Sequence, residues 1–171
     1  MRKTSFAKMH CSLARGLELM GDWWSPLIIR DLFLGVVRFD VLIDDLGISR
    51  NLLTQRLKAL ESKGLVKREA YQLNPPRYEY RLAPAGLDLV PVIVALTDWG
   101  DRWARPKEGT PILFEHTTCG HHFRPRIVCS ECSDAITADT VRAHPGPGGA
   151  AKPGTKIVAR LLRNTSRTTG R

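Results

Sequence analysis

Two pairs of ligand-type residues stand close together in the second half of the chain: His116 and Cys119, then, after nine intervening residues, Cys129 and Cys132. Each pair has the x-x spacing with which one tight turn offers two donors to a single ion. Three thiolates and an imidazole suit a tetrahedral Cys3His zinc centre, with His121 or His122 able to stand in for His116. Four protein ligands leave no open position for substrate, so one structural zinc is the cofactor expectation. A metal-free hairpin with two reduced pairs, or a Cys129–Cys132 redox couple, fits the same spacing. The remaining cysteine, Cys11, stands alone ahead of a helical pattern. A helix N-terminus and nearby Lys8 or Arg15 would favour its thiolate and make it a reactive sulfur. Packing as a small apolar group is the alternative.

A second chemistry gathers between Ser49 and Arg68, where six basic residues meet one acid. At about 100° per residue, Arg50, Asn51, Thr54, Gln55 and Lys58 share one arc of a helix. Leu52, Leu53, Leu57 and Leu60 occupy the other, and Arg56 falls among them, where a salt bridge to a carboxylate is expected. The polar arc holds the side chains that read base edges and phosphates: Arg for guanine, Asn or Gln for adenine, Lys for the backbone. An ordinary solvated face explains most such arcs, so the neighbouring elements must decide.

Those elements are legible. Helical patterns run through residues 12–34, with a break at Gly21 and Asp22. A short helix fits Phe39 to Leu46 and ends at Gly47, and the next opens with Ser49 as N-cap and stops at Gly64. Two short helices joined by a Gly-containing turn form a helix-turn-helix. Leu65–Leu73 and Arg77–Leu82 then read as strands, with Pro75 and Pro76 at the hairpin tip. Such a wing would carry Arg77 to the DNA backbone or minor groove, and Arg38 and Ser49 complete the candidate DNA-binding set. A longer helix is expected from Pro84 to Trp103, kinked at Pro91. Its residues Leu89, Val92, Leu96, Trp99 and Trp103 have the spacing of a seam against another helix.

The bulk composition agrees. Of 171 residues 43% are hydrophobic, enough for a core, and the net charge of +9 favours a polyanionic partner. No apolar run approaches the ~20 residues of a membrane span. No secretory leader is visible in the first residues, so reduced thiols and a cytoplasmic location are expected. The expected organisation is a winged-helix and dimerisation domain over 1–105, a zinc-ribbon-like hairpin over 106–142, and a flexible Gly/Pro-rich linker with basic tail over 143–171.

From Cys11 to about Trp103 the chain resembles the HxlR family of bacterial winged-helix regulators, related to the larger MarR group. The resemblance rests on Cys11-Ser12, LELMGDWW from Leu17, LIIRDLFL from Leu27 and Gly35, followed by Arg38-Phe39 and Gly47-Ile48-Ser49. It continues through Leu53 to Leu57, Leu60-Glu61, Gly64-Leu65-Val66, Pro75-Pro76-Arg77 with Glu79-Tyr80, and Leu96 to Trp99. It implies a homodimer paired through the C-terminal helix, with two recognition helices on a roughly palindromic double-stranded DNA operator. It also implies that Cys11 stands where some relatives sense oxidants or electrophiles. Ala83-Pro84-Ala85-Gly86 departs from the family's Leu-Thr-x-x-Gly and loses a hydroxyl cap.

The fold expected is therefore α+β, a winged helix-turn-helix with a long C-terminal dimerisation helix and a small Cys/His hairpin extension. The function expected is a DNA-binding transcriptional repressor, responsive to redox state or a ligand. An RNA- or protein-interaction module working through the basic tail is the rival. A thiol-dependent enzyme is the weaker one, because no phosphate loop, nucleophile elbow or dinucleotide fingerprint accompanies the thiols.

Overall fold

The apolar spacing between residues 24 and 60 folds as three helices in the computed structural model, which describes residues 5–168. They are α2 (Trp24–Phe33), α3 (Phe39–Leu46) and α4 (Arg50–Ser62), preceded by α1 (Ser12–Met20). The Asp22 carboxylate accepts the Trp24 and Ser25 amides at 3.0 and 3.2 Å, satisfying donors that the first turn of α2 leaves free. Ile28, Ile29 and Leu32 of α2, Leu42 of α3 and Leu53, Leu57 and Leu60 of α4 are buried together with Ile48 of the turn. Each such side chain contributes about 1.5–3 kcal/mol by leaving water, which outweighs any single polar contact nearby.

Two local devices set the angle between α3 and α4. Gly47 adopts φ 62°, a left-handed conformation that lets the chain reverse while its N–H bonds the Ile43 carbonyl at 2.9 Å. Ser49 is the N-cap of α4, and its Oγ accepts the Leu52 amide at 3.3 Å.

Strands β1 (Val66–Leu73) and β2 (Pro76–Leu82) form an antiparallel hairpin whose register runs from Val66 opposite Leu82 to Leu73 opposite Pro76. The register shifts between Ala70 and Gln72, leaving Tyr71 as an irregularity. Pro76, expected beyond the strand, is its first residue, where a missing N–H costs no ladder bond. The segment before α3 joins β2 as well: Arg38 bridges Glu79, and the Tyr80 amide donates to the Val37 carbonyl at 2.8 Å. The buried Leu65, Val66 and Leu82 root the hairpin. This is an α+β winged helix.

The helix expected from Pro84 to Trp103 is two helices, α5 (Pro84–Leu87) and α6 (Val90–Trp103). Pro91 has no N–H to offer the preceding turn, and it lies in the first turn of α6. It starts a new helix and does not kink a long one.

Residues 106–136 hold short pairings only. Strands β3 (Glu115–His116) and β4 (His121–His122) form one small hairpin, and Val128 bridges Ala135 in a second. Arg124 ties this stretch to α6, its Nε donating to Asp98 Oδ1 at 2.7 Å. The expected boundary at residue 105 therefore does not separate two bodies: Pro26–Ile136 form one compact unit.

The residues up to Ser25 form the other unit, together with those from Thr137. The Gly/Pro-rich run expected to be a flexible linker is bonded within it. His10 donates its amide to Pro153 O at 2.7 Å, and its ring nitrogen Nε2 meets Gly148 O at 2.6 Å. The tail beyond it begins helix α7 (Val158–Thr168), where Ala159 is buried.

Candidate nucleic-acid interface

Burial divides α4 as its periodicity implies. Leu53, Leu57 and Leu60 are inside, Asn51, Gln55 and Lys58 are exposed on the opposite side, and Arg56 is half-buried toward the leucines. Thr54 is half-buried and its hydroxyl donates to the Arg50 carbonyl at 2.8 Å, so that group is already used inside the helix. Arg50 opens the helix beside its cap Ser49. Its Nη2 donates to Asp40 Oδ1 of α3 at 2.8 Å, and the Phe39 ring lies 5.4 Å below the guanidinium.

The wing supplies the flank. Arg77 is exposed at its tip, next to Pro76 and opposite Gln72. Arg38 is held more tightly than its sequence position suggests, with Nε 3.4 Å from Glu79 Oε1 and its guanidinium 4.9 Å above the Tyr71 ring. Along the hairpin the cations are largely matched by acids. Lys67 lies 2.7 Å from Glu69, Arg81 reaches both Glu69 and Glu79, and Arg68 lies 3.3 Å from Glu61 and 4.8 Å over Tyr78. The Lys67 ammonium, with Arg81 beside it, holds the Glu69 carboxyl below its ordinary range, and burial pushes the Tyr80 hydroxyl up. Outward-directed positive charge thus lies at Arg77 and at Lys58 of α4, with Arg50 beside them paired to Asp40.

A helix anchored by leucines on one side and bearing Arg, Asn, Gln and Lys on the other, with a basic hairpin beside it, has the form that enters a DNA major groove. The profile of HxlR-like helix-turn-helix proteins matches residues 19–108, more than half of the chain. The uncharacterized HTH-type transcriptional regulator Rv3095 of Mycobacterium tuberculosis (strain ATCC 25618 / H37Rv) is 48% identical over 141 residues, covering 82% of this chain and 89% of that protein. The chain belongs to the HxlR-like helix-turn-helix family. Among solved structures, the candidate transcription factor PA1607 is 28% identical with a TM-score of 0.72, covering 84% of this chain and 100% of that one. The redox regulator HypR in its reduced form is 29% identical with a TM-score of 0.50, covering 54% of this chain and 92% of its own. This HxlR-family chain is a DNA-binding transcriptional regulator of the winged helix-turn-helix type. Among its described residues no helix is long and apolar enough to cross a membrane.

The four zinc-ligand candidates of this HxlR-family chain are not gathered into one site. His116 Nδ1 and Cys119 Sγ lie 3.4 Å apart in the turn between β3 and β4. Cys129 and Cys132 meet in the second hairpin, where the Ser133 amide closes the loop onto Cys129 O at 2.9 Å. Amide donors from Glu131 and Cys132, and the Cys132 thiol, hold the Cys129 thiol below its ordinary value. Each loop is closed by its own ladder, Phe123 onto Phe114 and Ile136 onto Ile127, and among the described residues no three His, Cys, Asp or Glu side chains converge on a metal position. As placed, each pair offers two of the four donors that the expected Cys3His centre takes. His121 and His122 are exposed on β4. Cys11 is a half-buried free thiol at the N-cap of α1, and it makes no side-chain cap bond.

Sequence reasoning missed Asp40, Phe39, Tyr71 and Glu79, which orient Arg50 and Arg38. Their only sequence signal is an acid or ring opposite an arginine across a turn, and that becomes readable once the helix angle and wing register are known.

Proposed function

We propose that the chain represses transcription as a homodimer on a roughly palindromic double-stranded operator. Arg50, Asn51 and Gln55 would read bases, Lys58 phosphate, and Arg77 the flanking backbone or minor groove. The observation that carries this reading is the split of α4 into a buried leucine side and an exposed side with three polar or basic side chains at groove-reading positions. The dimer is supported by the outward face of α6, where Val92, Leu96, Trp99 and Trp103 are all more than half exposed. A single helix with such an apolar stripe gains by pairing with its own copy. Binding of the full chain to its own promoter, to random duplex and to single-stranded RNA across a salt series tests this. Promoter DNA should bind at least about tenfold tighter than either competitor, with a steep salt slope. Equal binding of RNA would favour the interaction-module reading.

Cys11 is proposed as a thiol switch, supported by its free thiol ahead of α1 and by the description of the similar HypR as a redox regulator. Peroxide should release promoter DNA from the native chain and leave a Cys11→Ser variant bound. Release from both would remove Cys11 from the response.

A further inference from the structure

The unit built from the N-terminal segment and the residues after Thr137 contains a cavity of about 460 Å³. That volume lies in the range of sites for small organic molecules, about 300–1,000 Å³. All of its lining falls outside residues 19–108, the stretch that the family profile matches, and most of it, from Pro145 to Arg163, lies beyond the winged helix.

Three walls define its chemistry. The first is the start of α1, where Cys11, Ser12 and Arg15 face the space. No acid lies in the first turn, and the first bond of the helix runs from Arg15 N to Cys11 O, leaving the earlier amides without an acceptor in the helix. The second wall is α7, which presents Val158, Ala159 and Leu162 as an apolar surface and Arg163 at its edge. The third is the Gly/Pro run from Pro145 to Ala150, held in place by the two His10 bonds and by Thr155 Oγ1 to Ala150 O at 2.8 Å. Gly154 permits this closure, since at its φ of 88° a Cβ would stand 3.1 Å from the Met9 Cβ. The run is a fixed roof.

Among the described residues two guanidinium groups line the cavity and no Asp or Glu does. A positive, partly desolvated space with an apolar wall selects an anion that also has an apolar body. We propose that this cavity binds a small amphipathic organic carboxylate. Its head group lies between Arg15, Arg163 and the free amides of α1, and its apolar part lies on Val158, Ala159 and Leu162. Planar guanidinium suits a carboxylate better than a point charge would. The bound molecule also covers the Cys11 thiol.

Calorimetric titration of the full chain with octanoate, without DNA, tests this; octanamide and inorganic phosphate serve as the comparison probes. Octanoate should saturate one site per chain with a dissociation constant below about 1 mM. Octanamide, which lacks the charge, and phosphate, which lacks the apolar body, should each bind at least about tenfold more weakly. The double variant Arg15→Gln, Arg163→Gln, both exposed positions, should keep the native thermal midpoint and lose octanoate by about tenfold or more. Saturating octanoate should also slow alkylation of Cys11 by iodoacetamide, followed by peptide mass spectrometry. Absence of octanoate binding, octanamide or phosphate binding equally well, or an unaffected double variant would each overturn the proposal. Because no DNA is present, such a failure leaves the regulator reading untouched.

Discussion

Arg50 of the recognition helix donates to Asp40 of the preceding helix at 2.8 Å, and both side chains are well exposed. In the free protein the arginine is therefore oriented, with an acid as its resting partner. An exposed ion pair contributes about 0–1 kcal/mol, whereas a bidentate guanine contact is worth about 1–3 kcal/mol, so on the proposed reading the correct base would displace Asp40 and a wrong one would not. Asp40→Asn should tighten binding to random duplex by removing a charge that repels phosphate. The operator-to-random ratio should fall with it. Anisotropy titrations of both duplexes at one salt concentration measure this, and an unchanged ratio would mean that Asp40 plays no part in selection.

Gln55 and Lys58 lie on the same exposed side of α4 and should separate base reading from phosphate holding. Gln55→Ala should cost about 1–3 kcal/mol on the operator and little on random DNA. Lys58→Ala should weaken both duplexes alike and reduce the salt slope by about one. The reverse pattern would mean that the helix enters the groove in a different rotation.

What could be read in advance was local. Ser49 and Gly47 carry their conformations in their own chemistry, a side-chain acceptor and a missing Cβ, so the turn between α3 and α4 was legible before any packing was known. The leucine arc was legible because burial follows the helical period. The long helix failed at Pro91, since a proline in an apolar stripe fits a kink or a first turn equally well and the sequence does not say which. The metal site is legible only as two pairs, for a related reason. An x-x spacing fixes distance within one turn, but the distance between two turns depends on strand pairing, and here each hairpin pairs with itself. Composition misled at residues 143–154, where glycine and proline suggested a tether and His10 supplies bonds that composition cannot show.

Leu96 is 55% exposed at the middle of the α6 stripe, so a charge there is harmless to an isolated chain and harmful to a dimer. Leu96→Asp should leave the thermal unfolding of the monomer near native and bury an unpaired carboxylate in any pairing of two stripes. Sedimentation should show monomer at micromolar concentration where the native chain is dimeric, with weaker operator binding. A native chain that is already monomeric would remove α6 as the dimer face.

Asp31 of α2 is fully buried, with Arg30 Nε donating to it at 2.8 Å, and Asp45 stands 3.5 Å from the same arginine. Burial raises its carboxyl pKa, Arg30 pulls it partly back, and Asp45 adds to the rise. A carboxyl raised in the folded state binds more protons there than in the unfolded chain, so stability falls as pH rises from the ordinary value of about 3.9 to the raised one. Asp31→Asn, which keeps an acceptor for Arg30 and cannot ionise, should gain on the native chain across that window. Thermal midpoints of the two proteins at several acid pH values measure the difference. A gap that narrows with rising pH would reverse the assigned shift.

The metal content of the two Cys/His pairs follows from how many donors each can offer. A structural zinc takes four protein donors, and a pair alone leaves the remaining positions to water, which holds the ion weakly. His116 with Cys119, and Cys129 with Cys132, each supply two, in hairpins closed by their own backbone bonds. The chain, purified without chelator and dialysed, should therefore retain well below one zinc per chain in elemental analysis. Cys132→Ser should leave residues 114–136 as resistant to protease as before, because the loop is held by the Ser133 and Cys129 amides and needs no thiolate. The winged helix, with its separate leucine core, should keep its DNA affinity in either case. Stoichiometric zinc, lost from Cys132→Ser together with the protease resistance, would mean that the two hairpins close onto each other around the ion.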